Sequence, residues 1–104
     1  MKIGSLIKKL RVGKEMTQVQ LADRMDITQN YISLIETNTK VPSKDIIKKF
    51  SNHFNISEEA LLFLSTEPPS ELDHEGKKAY IKLQHNILSL VLFEMTGVLE
   101  PKSA

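Results

Sequence analysis

The sequence predicts an all-α protein made of six helices. Apolar residues recur three and four positions apart along most of the 104-residue chain, which is the spacing of helices that bury one face. Serine or threonine precedes several of these segments, where a side-chain oxygen can accept from the free N–H groups of a helix start. Glycine, asparagine and proline separate the segments, as expected of residues that end helices and form turns.

The first predicted helix covers about residues 3 to 12 and ends at Gly13. Two shorter helices follow, separated by a tight turn. Thr17 and Gln20 have the spacing of a capping box at the start of the first of them. The small side chain of Ala22 allows the second to cross close above it, as in a helix-turn-helix. The inward residues of these three helices are predicted to be Ile3, Leu6, Ile7, Leu10, Leu21, Ala22, Met25, Ile32 and Ile35.

The second helix of this pair begins after Thr28, whose hydroxyl can cap it, and leaves several polar side chains facing outward. Ser43 is predicted to cap a fourth helix, and Ser57 a fifth whose first-turn acids complement the helix dipole. The apolar residues of the fourth and fifth helices are Ile46, Ile47, Phe50, Phe54, Leu61, Leu62 and Leu64. Together the five helices form a predicted domain of residues 1 to 64.

A linker at residues 65 to 69 separates this domain from a last helix, because two consecutive prolines cannot continue a helix. Ser70, with Asp73 at the capping-box position, is expected to begin that helix, which occupies residues 70 to 97 and leaves a tail at residues 98 to 104.

Composition excludes several classes of protein. The chain has no cysteine, so disulfides and thiolate metal sites are ruled out, and we expect a cytoplasmic protein. We find no secretory signal pattern, and the longest apolar cluster is too short to cross a membrane. The three histidines have no partners at metal-ligand spacing, and no phosphate-binding loop or catalytic nucleophile with a matched base is present. We therefore expect no metal, no cofactor and no enzymatic activity.

Charge is distributed unevenly along the chain. Residues 1 to 55 carry ten lysines and arginines against five acids, whereas the remainder carries four against eight. The basic part is the part that contains the two short crossing helices. A positive surface there favours contact with phosphates, and the acidic part is expected to point away from them.

About residues 3 to 64 resemble the lambda-repressor-like (Cro/Xre-type) helix-turn-helix family of phage and bacterial transcription regulators. The matching residues are Ile7, Leu10, Arg11, Met16, Thr17, Gln18, Leu21, Ala22, residues 27 to 36, Val41, Pro42, Ser43, Ile46, Ile47, Phe50, Phe54, Leu61 and Leu62. Two positions differ, because Asp26 and Asn38 stand where the family usually has glycine. Aspartate and asparagine tolerate the left-handed conformation better than other non-glycine residues.

The resemblance implies a five-helix DNA-binding domain whose third helix enters the major groove of double-stranded DNA. Its base-reading positions correspond to Gln29, Asn30, Ser33 and Leu34, and an amide can pair bidentately with adenine. The residues expected to contact phosphates or the DNA backbone are Gln18, Tyr31, Asn38, Thr39, Lys40 and Lys44. Arg11 and Glu36 match a partly buried ion pair of structural role.

The last helix is apolar around most of its circumference, which predicts that it is buried on more than one side. One face can cover the five-helix domain, and the other is predicted to meet a second copy of the chain. The predicted dimerisation residues are Tyr80, Leu83, Ile87, Leu88, Leu90, Val91 and Met95. The alternative is that this helix is simply a sixth element of its own core.

The sequence thus favours a homodimeric repressor that binds a (pseudo)palindromic operator. It does not reveal the sign of regulation, and a controller of a restriction-modification system would have almost the same sequence features. The main alternative is an interaction module, such as an antitoxin or an antirepressor-binding protein, whose last helix binds a different protein.

Overall fold

A computed structural model describes residues 1 to 97, and every regular element within this range is an α-helix. The fold is therefore all-α, as predicted. The predicted tail at residues 98 to 104 lies outside the described residues. The helices are α1 (Ile3–Gly13), α2 (Gln18–Met25), α3 (Gln29–Glu36), α4 (Lys44–Phe54), α5 (Glu58–Ser65) and α6 (His74–Thr96).

Four helix starts are capped by the side chains that the sequence predicted. Thr17 and Gln20 form the complete capping box of α2, with both of its hydrogen bonds present. Thr28, Ser43 and Ser57 accept the backbone N–H three residues ahead at the starts of α3, α4 and α5. These local bonds fix the entry of each helix and hence the direction in which α3 presents its first residues.

Four non-glycine residues of the described chain have positive φ angles. Asp26 (φ 54°) ends α2, and Asn38 (φ 60°) lies just after α3, so both take the left-handed conformation expected of them. Asn55 (φ 54°) ends α4 in the same way. Glu15 (φ 57°) is the one that the residue types did not indicate. It lies in the short turn between α1 and α2.

A core of fully buried aliphatic and aromatic side chains joins α1 to α5. It includes Leu6, Ile7, Leu10, Leu21, Ile32, Ile35, Phe50 and Leu61, each 0 % exposed. Ala22 is buried where α2 meets α3, as the predicted close crossing requires. Ile46 is only partly buried, and Leu62 is half exposed.

The last helix begins later than predicted. Asp73 is its cap, since its Oδ1 accepts from the backbone N–H of Gly76 at 2.7 Å. Ser70 lies in a turn instead, where the N–H of Leu72 donates to the carbonyl of Pro69 at 3.2 Å. The predicted capping by Ser70 is therefore wrong, because residues 70 and 71 form a turn and the helix begins only after Asp73.

Helix α6 packs along α1 and α5 of its own chain. Leu88 and Leu92 are buried in the common core, at 3 % and 6 % exposure. The buried amide of Gln84 donates to the carbonyls of Phe63 (2.7 Å) and Thr66 (2.8 Å), which satisfies acceptors at the end of α5. Leu88 is thus unavailable to a second chain, which corrects its place in the predicted dimerisation set.

The remaining members of that set divide into two groups. Tyr80, Ile87, Val91 and Met95 are partly buried against their own chain, and the Tyr80 ring contacts the Phe63 ring in a tilted arrangement with centroids 5.2 Å apart. Leu83 and Leu90 are 51 % and 63 % exposed. Helix α6 is therefore a sixth core element that also keeps an exposed apolar face.

The start of α1 lies against the end of α3 with no room for a side chain. The backbone N–H of Gly4 donates to Asn38 Oδ1 at 3.1 Å, and the Asn38 amide also donates to Ser5 Oγ at 3.3 Å. A Cβ atom at position 4 would lie 1.9 Å from the carbonyl oxygen of Ile35. A backbone oxygen cannot rotate away as a side chain can, so position 4 requires glycine.

We therefore expect Gly4→Ala to lower the free energy of unfolding by about 1–3 kcal/mol, although alanine favours helices, because the two helices must move apart. Thermal and urea unfolding followed by circular dichroism measure this change. Gly13→Ala is the matched control, since a Cβ there meets only the end of the Leu92 side chain at 2.8 Å. If both variants were equally stable, the close approach of α1 to α3 would have no energetic importance.

Candidate nucleic-acid interface

The exposed start of α3 carries the residues predicted to read bases. Gln29 and Asn30 are its first two residues and are exposed, whereas Ser33 and Leu34, one turn later, are half-buried. Capping by Thr28 fixes the direction of this first turn. The two amides thus project from the end of a rigid helix, which suits insertion into a groove better than a loop would.

Behind α3, the structure brings Arg11 of α1 and Glu36 together. Arg11 Nε donates to Glu36 Oε2 at 2.6 Å, and Arg11 Nη2 donates to Glu36 Oε1 at 2.9 Å, which is a bidentate pair. The two side chains are 11 % and 3 % exposed. Arg11 Nη1 also donates to the carbonyl of Met16 at 2.7 Å, so this side chain ties the α1–α2 turn to the end of α3.

Gln18 connects this ion pair to the exposed surface. Its Nε2 donates to Glu36 Oε1 at 3.0 Å, and its Oε1 accepts from Gln29 Nε2 at a long 3.5 Å. A carboxylate can only accept here, so it fixes which end of the Gln18 amide faces inward. Arg11, Glu36, Gln18 and Gln29 therefore form one continuous polar chain.

The half-buried ring of Tyr31 lies beside the same surface. Lys40 Nζ is 5.7 Å from the centre of this ring, within the range of a cation–π contact. This contact holds a positive charge near the exposed side of α3. Tyr31 and Lys40, both predicted to contact phosphates, therefore lie next to each other.

The loop after α3 folds back on the end of that helix. Thr37 Oγ1 donates to the carbonyl of Ser33 at 3.0 Å, its hydroxyl is 2.8 Å from that of Thr39, and the N–H groups of Thr39 and Lys40 donate to the carbonyl of Leu34. The side chain of Asn38 turns away to hold Gly4 and Ser5. Asn38 itself is exposed, and its predicted contact with phosphate stays a prediction.

Lys44 is the first residue of α4 and is exposed. The hydroxyl of the preceding Ser43 is occupied in capping the helix. The exposed ammonium group of Lys44 can reach a phosphate.

Two structural roles were not predicted from the sequence. Neither the buried hydrogen bonds of Gln84 nor the close packing at Gly4 was predicted. Gln18 was assigned to a phosphate, but its side chain bridges Glu36 and Gln29. Gln84 lies four positions before Leu88 on the inward side of α6, a side that only the structure identifies.

A separate cavity of about 670 Å³ lies between the α1–α2 turn, α4 and the end of α6. Its lining mixes basic Lys14 and Arg24 with acidic Asp23, and it includes His53. Partial burial, followed by the positive charges of Lys14 and Arg24, lowers the pKa of His53 below its ordinary value. Within residues 1 to 97, no three histidine, cysteine or acidic side chains are grouped closely enough to hold a metal ion.

Comparison with known proteins gives one match. A family model described as helix-turn-helix covers residues 7–61, just over half of the chain. The comparisons with curated proteins and with solved structures gave no match. In the described part of the chain, no helix is both long and apolar enough to cross a membrane.

Proposed function

Since the chain belongs to the helix-turn-helix family of DNA-binding transcription regulators, we propose that it is a homodimeric repressor that reads a (pseudo)palindromic operator through the major groove. Each subunit would place the start of α3 against one half-site. Occupation of the operator would then block access to an overlapping promoter.

The observation that carries this proposal is the polar chain from Arg11 to Gln29. At 3.5 Å the Gln29–Gln18 contact is long and weak, but it places the Gln29 amide beside a Gln18 side chain that Glu36 holds in position. Glutamine and asparagine amides pair bidentately with adenine N6 and N7 in the major groove. We therefore assign base reading to Gln29 and Asn30, with Ser33 and Leu34 contributing contacts one turn further along.

Phosphate contacts are assigned to residues that surround this helix start. Lys40 and Lys44 supply charge, and the hydroxyls of Tyr31 and Thr39 supply donors. Gln18 keeps one amide hydrogen beyond the one used toward Glu36 and can offer it to a phosphate. These contacts would fix the register of α3 on the duplex without specifying sequence.

Selection of bound fragments from genomic or random DNA, followed by footprinting, tests the proposal. The expected product is a pair of inverted half-sites whose centres are about 34 Å apart, or a multiple of one DNA turn. Recovery of single, unpaired half-sites would contradict a homodimeric reader, and the absence of any enriched sequence would contradict specific binding.

A base-reading Gln29 has a measurable signature. We expect Gln29→Ala to weaken binding to the selected operator by about 1–3 kcal/mol and to leave binding to unrelated DNA nearly unchanged, because only a base contact is lost. Anisotropy titrations at one fixed salt concentration measure both affinities. Asn52→Ala removes an exposed amide from α4 and should change neither. Equal losses on both DNAs would make Gln29 a phosphate contact or a packing residue.

One observation favours a second candidate function. Leu83, Leu90 and Phe93 of α6 are exposed and could bind a different protein, in which case the chain would be an interaction module such as an antitoxin. Size-exclusion chromatography with light scattering separates the candidates, since a homodimer hides this face and a monomer leaves it open. We favour the homodimer because palindromic operators require two linked reading heads.

A further inference from the structure

The outward face of α6 carries a regular stripe of five residues at alternating spacings of four and three. They are Ala79, Leu83, Asn86, Leu90 and Phe93. All five are exposed, with Leu83, Leu90 and Phe93 at 51 %, 63 % and 45 %. At 3.6 residues per turn they form one line, roughly opposite the buried Gln84–Leu88–Leu92 side. This stripe is not the predicted dimerisation set, with which it shares only Leu83 and Leu90.

We propose that this stripe packs against the same stripe of a second copy of the chain, with the two α6 helices antiparallel and crossing at Asn86. The inference rests on the homodimer proposed above and specifies its interface. In a two-fold symmetric contact the same surface serves both subunits, so the stripe must complement itself.

Side-chain size favours the antiparallel direction. Ala79 and Phe93 lie seven residues before and seven residues after Asn86. An antiparallel crossing therefore sets the large ring of Phe93 on the small Ala79 of the other subunit at both ends, and brings Leu83 close to Leu90. A parallel arrangement sets two phenyl rings together at one end and two alanine methyls at the other, which leaves a gap.

Charge favours the same direction. Residues 74 to 85 carry Lys77, Lys78 and Lys82 against Glu75, whereas residues 86 to 97 carry only Glu94. Antiparallel helices bring the basic half of each α6 to the acidic half of the other, and parallel helices bring like charge to like charge. The opposed helix dipoles act in the same sense.

Asn86 gives the interface its register. A single amide inside an apolar helix contact is costly unless it finds a partner, and at the crossing point the two Asn86 amides meet and can bond to each other. Displacement of one helix by a turn would bury each amide against leucine. The stripe therefore specifies one register of the two α6 helices as well as their association.

Cysteine cross-linking of the full chain tests this arrangement, because the natural sequence has no cysteine. Single variants Asn86→Cys, Ala79→Cys, Phe93→Cys and the control His85→Cys are treated with a short thiol cross-linker and separated on denaturing gels. Asn86→Cys should give a product of twice the 11.8 kDa chain mass. Ala79→Cys and Phe93→Cys should each remain single chains, but a mixture of the two, after subunit exchange, should cross-link.

The outcomes separate this inference from the proposed homodimer. Efficient cross-linking of Ala79→Cys with itself would show parallel helices and overturn the inference. Equal products from His85→Cys and Asn86→Cys would show random collision. If the natural chain is dimeric by light scattering but neither Asn86→Cys nor the mixture gives a product, the interface lies elsewhere and only this inference is refuted. If the natural chain is monomeric, the homodimer and its proposed interface are both refuted. The mixture retains Asn86, so loss of that amide does not confuse the result.

Discussion

Replacing both Leu83 and Leu90 by glutamate should convert the protein to a monomer and weaken operator binding by about 10²- to 10⁴-fold, because two linked reading heads gain that much over separate ones. The two leucines are 51 % and 63 % exposed, so the fold of each chain should survive. In the antiparallel pair each new carboxylate lies near one from the other subunit, and their repulsion adds to the loss of apolar contact.

Light scattering and operator titrations measure the two effects, and circular dichroism checks that the helices remain. The slope of affinity against salt concentration should also fall by about half, as one subunit contacts half of the phosphates. His74→Glu with His85→Glu is the matched control, since it changes the formal charge by the same amount at exposed α6 positions that belong neither to the stripe nor to the lysines of that helix. A dimeric Leu83→Glu, Leu90→Glu protein with normal operator affinity would show that this face is not the interface.

Ile87 and Val91 are unsuitable for this experiment, although the sequence pointed to them. Both are partly buried against their own chain, so polar replacements there would unfold the monomer as well. Truncation after residue 65 has the same defect, because it removes Leu88 and Leu92 from the core and the Gln84 bonds from the end of α5.

Glu36→Ala should lower the free energy of unfolding by about 3–5 kcal/mol, because it leaves the Arg11 guanidinium buried without its counter-charge. That side chain is 11 % exposed and makes both of its Glu36 bonds through Nε and Nη2. The Met16 carbonyl remains as a partner but carries no full charge. Urea unfolding at neutral pH measures the change.

Two further variants separate charge from packing. Glu36→Gln retains the shape and an acceptor, so it should cost less than Glu36→Ala. Arg11→Met combined with Glu36→Leu removes both charges and should recover most of the stability lost by Glu36→Ala, since a buried pair replaced by apolar side chains is close to neutral. Equal stability of Glu36→Ala and the natural chain would show that the pair contributes nothing.

The double variant should still bind operator poorly, because Gln18 loses the acceptor that orients its amide. Operator titrations on this variant, which is stable but no longer orients the Gln18 amide, therefore test whether the polar chain serves recognition as well as stability.

Local chemistry was enough to predict most helix boundaries. Thr17, Thr28, Ser43 and Ser57 satisfy N–H groups three residues away, so neither end of the bond depends on the rest of the fold. The start of α6 was mispredicted because both Ser70 and Asp73 can cap. The structure makes Asp73 the cap because Ser70 is part of a turn closed by the bond from the Leu72 N–H to the Pro69 carbonyl.

The long-range contacts were beyond the sequence pattern. The need for Gly4 comes from the Ile35 carbonyl 31 positions away, and the Gln84 amide serves carbonyls of another helix. The apolar composition of α6 predicted burial on two sides, of which the structure shows the one against α1 and α5, but periodicity alone could not assign each residue to a side. Leu88 was therefore placed on the outer face, although Gln84 and Leu92 show that its row faces inward.

The sharing of α6 between core and surface limits recombination among related regulators. A crossover in the linker would transfer α6, the proposed dimerisation helix, without the α5 carbonyls that bond Gln84 or the core side chains that contact Leu88 and Leu92. Such a chimera folds and acquires a new pairing specificity only if its inward α6 residues, Gln84, Leu88 and Leu92, come from the same protein as α1 and α5. Divergence of pairing specificity in this architecture is therefore expected to proceed by point substitution along the outward stripe, while the inward row changes together with α1 and α5.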